Sequence, residues 1–560
     1  MEKILLVEPN YKNKYPPLGL MKLATFHRAR GDIVEFYKGE APYTKISQVD
    51  RIYITTLFSF HYDITIKCIN HYKKYISKDC IYIGGIAATI LTSDFRQDTG
   101  IKNIIRGQVT DSSILGYDEK VNIDMLTLDY DILDDISYAY PSGDSYFIHT
   151  TRGCPRKCEF CAVKTLEPEY LTSNNVINQV KCVDEIYGQK RNLLIMDNNI
   201  LWSDNLNEII NDIKMLGFTG DSNYVYPNPF NVMMNKIGRR ISYKVDFFNQ
   251  INELIEYLKK FSTRIKRYPK IYDLYWELLS LVLADEDTWG ALQLYEKEIA
   301  EYIEKYRSKA KMIRYVDFNQ GIDARLINEH NIEILSKIPI RPFRLAYDSV
   351  KETEIFFNAT KMAMRHNVRE FSNYMLYNWE DRPEDLWIRL KHAMELYGNN
   401  NEKISGFSFP MKYSPVDEKD RAYIGKHWNK KYLGAINIII NVTKGVVAKE
   451  KDFFFEAFGS NLSEYLMILN MPDEFIRFRH FFRDNGLLSY WKELYLALSQ
   501  SDQEYLLEIL CKSKSDRTII YGDYATSIKK ILVLYTINKS QFIRKEKNTE
   551  SVIRSIEEIY

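Results

Sequence analysis

His149-Thr150-Thr151-Arg152-Gly153-Cys154-Pro155-Arg156-Lys157-Cys158-Glu159-Phe160-Cys161 is the stretch on which fold and chemistry turn. A chain with 7 Cys in 560 residues would carry a triplet at one fixed spacing by chance about 0.001 times. Thiolates bind soft and borderline metals, and three within eight residues can wrap one face of a metal or cluster. Gly153 lets the chain turn out of the preceding strand, and Pro155 stiffens the loop. A structural zinc site closes with four ligands, usually from two separated pairs. Here Cys158-x-x-Cys161 has no second pair, and His149 sits awkwardly on the strand. A reactive thiol pair leaves Cys154 without a role. Three ligands in place of four match a 4Fe–4S cluster that keeps one iron open.

Strands and helices alternate on both sides of this loop. From it to about residue 420 six strands can be named: Tyr146–His149, Leu193–Asp197, Ile313–Phe318, Phe343–Tyr347, Phe371–Tyr377 and Ile404–Phe409. Helical patterns such as Leu206–Met215, Ile332–Ile338 and Glu384–Leu396 separate them. The second and third strands lie too far apart for one crossover. The gap holds helical patterns at Val245–Phe261, Ile271–Leu283 and Trp289–Tyr306, a helical insertion over about residues 220–311 of a block spanning 143–420. The chain before it, 1–121, alternates in the same way and predicts a Rossmann-like parallel sheet with its ligand crevice at the strands' carboxyl ends. No G-x-G-x-x-G follows the first strand, so the dinucleotide fingerprint is missing. Residues 122–142 are acidic, without clear period, and read as a linker. Residues 421–560 are mostly helical, marked by Phe453–Phe458, Leu462–Leu469 and Tyr505–Leu510, and Asn538–Tyr560 is expected to pack only loosely. The fold class is therefore α/β with a helical carboxyl-terminal domain.

Lys plus Arg is 76 and Asp plus Glu is 75, a net charge of +1. That balance disfavours a dedicated nucleic-acid binder. No apolar run is long enough to span a membrane, and the start lacks a secretory pattern, so the expected location is the cytoplasm. Cys68, Cys80, Cys182 and Cys511 are isolated and read as small buried hydrophobes. The 42 Tyr and 28 Phe read as background usage. No His pattern suggests a catalytic triad or an H-E-x-x-H site.

C-x-x-x-C-x-x-C after a strand, with Phe160 just before the last Cys, resembles the radical S-adenosylmethionine enzymes. The resemblance implies a partial six-stranded β/α barrel. Cys154, Cys158 and Cys161 would ligate a 4Fe–4S cluster whose open iron chelates S-adenosylmethionine, and one electron would then cleave the sulfonium to methionine and a 5′-deoxyadenosyl radical. It also implies a one-electron donor of flavodoxin or ferredoxin type. Phe160 joins the cofactor-binding set. Asp197-Asn198-Asn199 stands where related enzymes often carry Asp-Asp, so contact with the cosubstrate's amino group rests on Asp197 or Asn198 by position. Phe318-Asn319-Gln320-Gly321-Ile322-Asp323-Ala324-Arg325 resembles a third-strand segment of a subgroup. Arg325 would pair with the cosubstrate carboxylate, and Gln320 or Asp323 would take ribose hydroxyls. The alternative, an Asp–Arg pair capping the next helix, stays open. Asp348 and Asn378 end the fourth and fifth strands and are further candidates, with helix capping as the rival at Asp348.

Asn10 to Leu20, with Pro16-Pro17-Leu18-Gly19-Leu20, and Gly84-Gly85 resemble a cobalamin-binding-type domain. The Asp-x-His-x-x-Gly ligand motif is absent. The domain either binds cobalamin without a His on cobalt or is a relic serving substrate or structure. Asn441-Val442-Thr443-Lys444-Gly445-Val446-Val447 faintly resembles the carboxyl-terminal extension of the same subgroup. Within this reading, methyl transfer through cobalamin competes with direct hydrogen abstraction from an unknown substrate. The rival from another class is a non-catalytic metal-stabilised scaffold or nucleic-acid-binding protein with a zinc or iron–sulfur site.

Overall fold

Short apolar runs closed by Gly and Pro build the first sheet. Its strands are β1 (Lys3–Glu8), β2 (Ile33–Lys38), β3 (Arg51–Thr56) and β4 (Ile81–Gly85), all parallel in the order β2-β1-β3-β4. Leu5, Val7, Ile52, Ile54, Ile81 and Ile83 are buried and share one core with Tyr62, Ile69 and Phe95. Covering helices bury both faces of such a sheet, so its strands read as nearly unbroken apolar runs. At the end of β4, Gly85 has φ +102°, and a Cβ there would lie 2.3 Å from the Thr56 carbonyl oxygen, so only glycine fits.

The computed structural model describes residues 1–172, 175–264, 273, 275–277, 279–281, 288–398, 403–512, 522–544 and 548–559. They divide into two units: Met1–Gln320 with Glu329–Arg341 and Val416–Arg421, and Gly321–Asn328 with Pro342–Pro415 and Ala422–Tyr560.

In the first unit the stretch expected to be a linker is packed. Leu128, Tyr130, Ile132 and Tyr140 are buried there. Its acids are paired: Asp131 takes Arg239 at 2.6 and 2.8 Å, Asp135 takes Arg240 at 2.8 Å, and Asp129 takes Arg28. Acidic composition looked like solvation. The partners, distant in sequence, are what make burial tolerable.

The same unit carries a second parallel sheet, β11-β8-β5, from β5 (Ser145–Ile148), β8 (Asn192–Ile195) and β11 (Val316–Phe318). Between β5 and β8, β6 (Thr151–Arg152) and β7 (Leu171–Thr172) form a short antiparallel ribbon. The expected strand Ile313–Phe318 is split. Its start belongs to β10 (Met312–Ile313), antiparallel to β9 (Ser222–Tyr224), with an irregular register. Arg314 causes the break: buried, it donates to the Leu216 and Lys190 carbonyls at 2.8 and 2.9 Å and lies 4.0 Å above the Phe218 ring.

The insertion has helices Pro229–Ser242, Phe248–Arg264 and Thr288–Tyr306. The first was not expected, although Asn228 caps it and Pro229 opens it. Much of the expected helix Ile271–Leu283 lies outside the described residues. The described insertion helices share an apolar core that includes Ile237, Leu254, Leu258, Leu292, Ile299 and Ile303.

The second unit holds β12 (Phe343–Ala346), β13 (Glu370–Tyr377) and β14 (Ser405–Lys412), parallel and adjacent in that order, with β15 (Val447–Ala448) antiparallel at the edge. The sixth expected strand thus continues through Lys412. Helices dominate after Lys430. The tail expected to be loose contains helix Thr549–Ile559, which buries Val552 and Ile556; its charges occupy the other face. No described helix is long and apolar enough to cross a membrane.

Candidate cofactor site

β5 and β8 run side by side with Ile148 opposite Ile195, which brings Thr150 beside Asp197. The Asp197 carboxylate accepts the Thr150 N–H at 2.7 Å and also the Thr150 hydroxyl. It is 4% exposed, and burial lifts its pKa to about 6 against these hydrogen bonds. Expected as a contact for the cosubstrate's amino group, Asp197 instead braces the strand from which the cysteine loop departs.

The loop is pinched at its neck by the β6–β7 ribbon, with Thr151 opposite Thr172. Gly153 has φ +70°, and a Cβ there would lie 2.1 Å from the Glu169 carbonyl oxygen. Glu167 then ties the neck together. Its carboxylate accepts the Gly153 N–H at 2.7 Å, the Arg152 guanidinium at 3.0 Å, and the Asn198 and Gln108 amides at 2.8 Å each. No sequence pattern marked Glu167, because its partners come from three places along the chain. Asn198 is therefore held by Glu167. The next residue, Asn199, directs its amide at the Cys154 sulfur from 3.7 Å.

Cys154, Cys158 and Cys161 are unbridged and partly exposed. The Cys161 N–H donates to the Cys158 carbonyl at 3.1 Å, a tight turn. Burial pushes the Cys161 thiol up, and Cys158 and Cys154 push it the same way. A metal entering such a set displaces those protons. Three sulfur donors on one loop, two of them in a single turn and the first with an amide directed at it, suit an iron–sulfur cluster by donor chemistry. Phe160 is partly buried beside Cys161. At the end of β11, the Asn319 N–H donates to the Ile195 carbonyl at 3.1 Å, and its side chain accepts the Tyr15 hydroxyl. Gln320, one residue on, is exposed.

In the second unit the expected groups have local partners. Asp323 caps the turn Ala324–Leu326 and receives Arg325 Nε at 2.7 Å, while Glu352 meets Arg325 Nη1 at 3.3 Å. The capping alternative left open by the sequence is thus present. Asp348 accepts the Leu376 N–H at 2.9 Å, and burial raises its pKa. Asn378, fully buried with φ +70°, donates to the Tyr413 and Tyr423 carbonyls at 2.9 and 3.1 Å and accepts the Gly425 N–H at 2.8 Å. Both amide protons are thus spent on the chain around Tyr413 and Tyr423, a strand-end tie in place of the expected cofactor contact.

At the carboxyl ends of the first sheet, Glu8 is buried with Lys38, Tyr140 and Asn13 as partners. Beside it Tyr11 and His61 stack, ring centroids 4.9 Å apart, and Phe58 stacks on Phe60 at 5.0 Å. Burial, then the Arg421 charge, lowers the His61 pKa, and His61 Nδ1 is buried without a hydrogen-bond partner among the described residues.

No known family's sequence profile matches the chain. Over 124 residues it is 27% identical to the "probable dual-specificity RNA methyltransferase RlmN" of Caldanaerobacter subterraneus subsp. tengcongensis, a match covering 22% of this chain and 32% of that relative. The chain spans about a third of the length of that relative. Among solved structures, the radical S-adenosylmethionine methyltransferase TsrM from Kitasatospora setae, with cobalamin and a 4Fe–4S cluster bound, is similar over 74% of this chain and 77% of its own, at 12% identity and a TM-score of 0.42.

Proposed function

We propose that the chain is a radical S-adenosylmethionine enzyme in which Cys154, Cys158 and Cys161 hold a 4Fe–4S cluster. The observation that carries this is the built neck of the loop: Gly153, Glu167, Arg152 and Asn198 tie together the base of the loop that carries the three thiols, just beyond a strand's carboxyl end. The cluster, when bound, supplies the electron for reductive cleavage of S-adenosylmethionine. The protein's part is to orient. Glu167 fixes the neck, Asp197 holds Thr150, and Asn199 stabilises charge on the Cys154 sulfur. Gln320 is assigned to ribose hydroxyls and Arg325 to the cosubstrate carboxylate. Arg325 is one-third exposed, and exchanging Asp323 for a ligand carboxylate costs little, because a surface pair is worth at most about 1 kcal/mol. Asp348 and Asn378 are assigned to positioning their strand ends.

The domain reading retained is 1–121 cobalamin-binding-like, 143–420 partial barrel and 421–560 helical. The orphaned His61 Nδ1 and the stacked Phe58 and Phe60 beside it support a flat macrocycle as ligand. Methyl transfer through cobalamin is accordingly the favoured chemistry, with His61 stacking and no protein His on cobalt. Anaerobic reconstitution tests the whole reading. About four irons per chain and 5′-deoxyadenosine formation from S-adenosylmethionine and dithionite support it, and tightly bound zinc without cleavage overturns it. Near one cobalt per chain after hydroxocobalamin loading and desalting supports methyl transfer, and none favours hydrogen abstraction.

A further inference from the structure

Thr150 turns its side chain to Asp197. Its neighbour His149 faces the other way, into a cleft of about 260 Å³ in the first unit. Phe147, Leu128 and Val183, all buried, line it; Asn122, Asn175 and Asn178 line it with amides. The His149 backbone is held by Gln179, which accepts its N–H at 3.2 Å and donates to its carbonyl at 2.9 Å. The ring itself makes no hydrogen bond among the described residues. A polar ring fixed in place and left without a partner at a cleft wall is set up for a ligand.

The charges narrow the ligand class. Lys22 donates to Asp124 at 2.7 Å, and Arg152 bridges Asp124 at 2.5 Å and Glu167 at 3.0 Å. Lys22 and Arg152 are thus both engaged, with Asp124 on this wall and Glu167 at the neck behind it, so neither cation is held ready for a phosphate or a carboxylate. Burial, then Arg152 and Lys22, keep the imidazole neutral, with one nitrogen donating and the other accepting. Amide side chains add both donors and acceptors, and the floor is apolar and aromatic. The volume falls just under the roughly 300–1,000 Å³ of sites for drug-sized molecules.

We propose that this cleft is a second ligand site, for an uncharged planar heterocycle of nucleobase size carrying both donor and acceptor edges. It opens at His149, whereas the adjacent Thr150 turns to Asp197, and it does not depend on the cofactor assignment. Arg152 touches both the cleft and the Glu167 neck, so occupancy is placed to be felt at the cysteine loop.

The test is isothermal calorimetry on the full chain, anaerobically reconstituted, with adenine, hypoxanthine and nicotinamide as probes and benzoate as the charged control. At least one neutral probe should bind at one per chain, with or without saturating S-adenosylmethionine, and benzoate should bind at least tenfold more weakly. Asn178→Leu, at the exposed mouth, and His149→Phe should each weaken the neutral probe at least tenfold, with iron content and melting temperature unchanged in Asn178→Leu. Absence of binding by all three neutral probes overturns the proposal. So does binding abolished by S-adenosylmethionine, which would place the probe in the cosubstrate's own site, or binding unchanged in Asn178→Leu. Failure here leaves the iron and cleavage results standing.

Discussion

The strand ends of the two units use the same residue types differently. In the first unit, Thr150, Asp197, Asn198, Asn199 and Glu167 come from separate segments and bear on one loop of three thiols. In the second, Asp323 pairs with Arg325 within a turn, Asp348 accepts from a neighbouring strand, and Asn378 ties its strand end to the segment around Tyr413, Tyr423 and Gly425, with no thiol loop among these partners. Several polar groups bearing on one loop rigidify a site, whereas groups that each serve a separate strand end only finish those strands. Polar groups at carboxyl ends therefore do not by themselves mark ligand contacts; convergence does.

The contrast is broken most severely at the thiols. Cys158→Ala should abolish the brown absorbance and the formation of 5′-deoxyadenosine, because two thiolates do not hold the cluster. Normal cleavage by this variant would sink the assignment. Glu167→Ala comes next. It orphans the Gly153 N–H and the Asn198 amide, at roughly 1–3 kcal/mol for each buried group left unpaired. Reconstituted iron should fall below half, and Glu167→Gln should restore part of it by keeping an acceptor oxygen. Iron content and electron paramagnetic resonance of the reduced cluster check this, since a purely structural role would lower the melting temperature without altering the spectrum.

Arg325→Ala sharpens the other side of the comparison. Loss of a charge-assisted pair with the cosubstrate should cost about 1.5–3 kcal/mol, or some tenfold to hundredfold in affinity, with iron content intact. Stability should change by less than about 1 kcal/mol, since the resting pair is exposed. Unchanged affinity by calorimetry would reduce Arg325 to the partner of a cap. The smallest effect concerns pH. The Asp197 pKa is raised to about 6 in the folded chain, so the protonated form is the one that folding favours. Its contribution is fully present below the unfolded value near 4 and is lost as pH rises through about 6. Asp197→Asn should remove on the order of 2 kcal/mol of pH dependence between those limits, read from denaturant midpoints at pH 4 and 7. An unaltered pH slope would show that Asp197 titrates normally.

Much was legible in the chain itself. The spacing of Cys154, Cys158 and Cys161 is a local property, so the proposed thiol set could be picked out from the chain directly. Alternation of apolar runs likewise placed the strands of the first sheet and most of those after the loop, because burial on both faces writes itself into composition. Where a single buried charge intervened, the pattern misled. Arg314 splits what reads as one strand, and the arginine partners of Asp129, Asp131 and Asp135 turn an apparent linker into packed structure.

What tertiary structure alone decided was which polar groups meet. Glu167 has no motif; its role arises because the β6–β7 ribbon folds back and brings it to Gly153 while β8 delivers Asn198. His149 and Thr150 are adjacent in sequence yet turn to different surroundings, one to the cleft and one to Asp197. The sequence determined the donor set because thiolate chemistry belongs to the residues and their spacing. Hydrogen-bond geometry is fixed over about 3 Å between groups far apart along the chain, and only folding sets those distances.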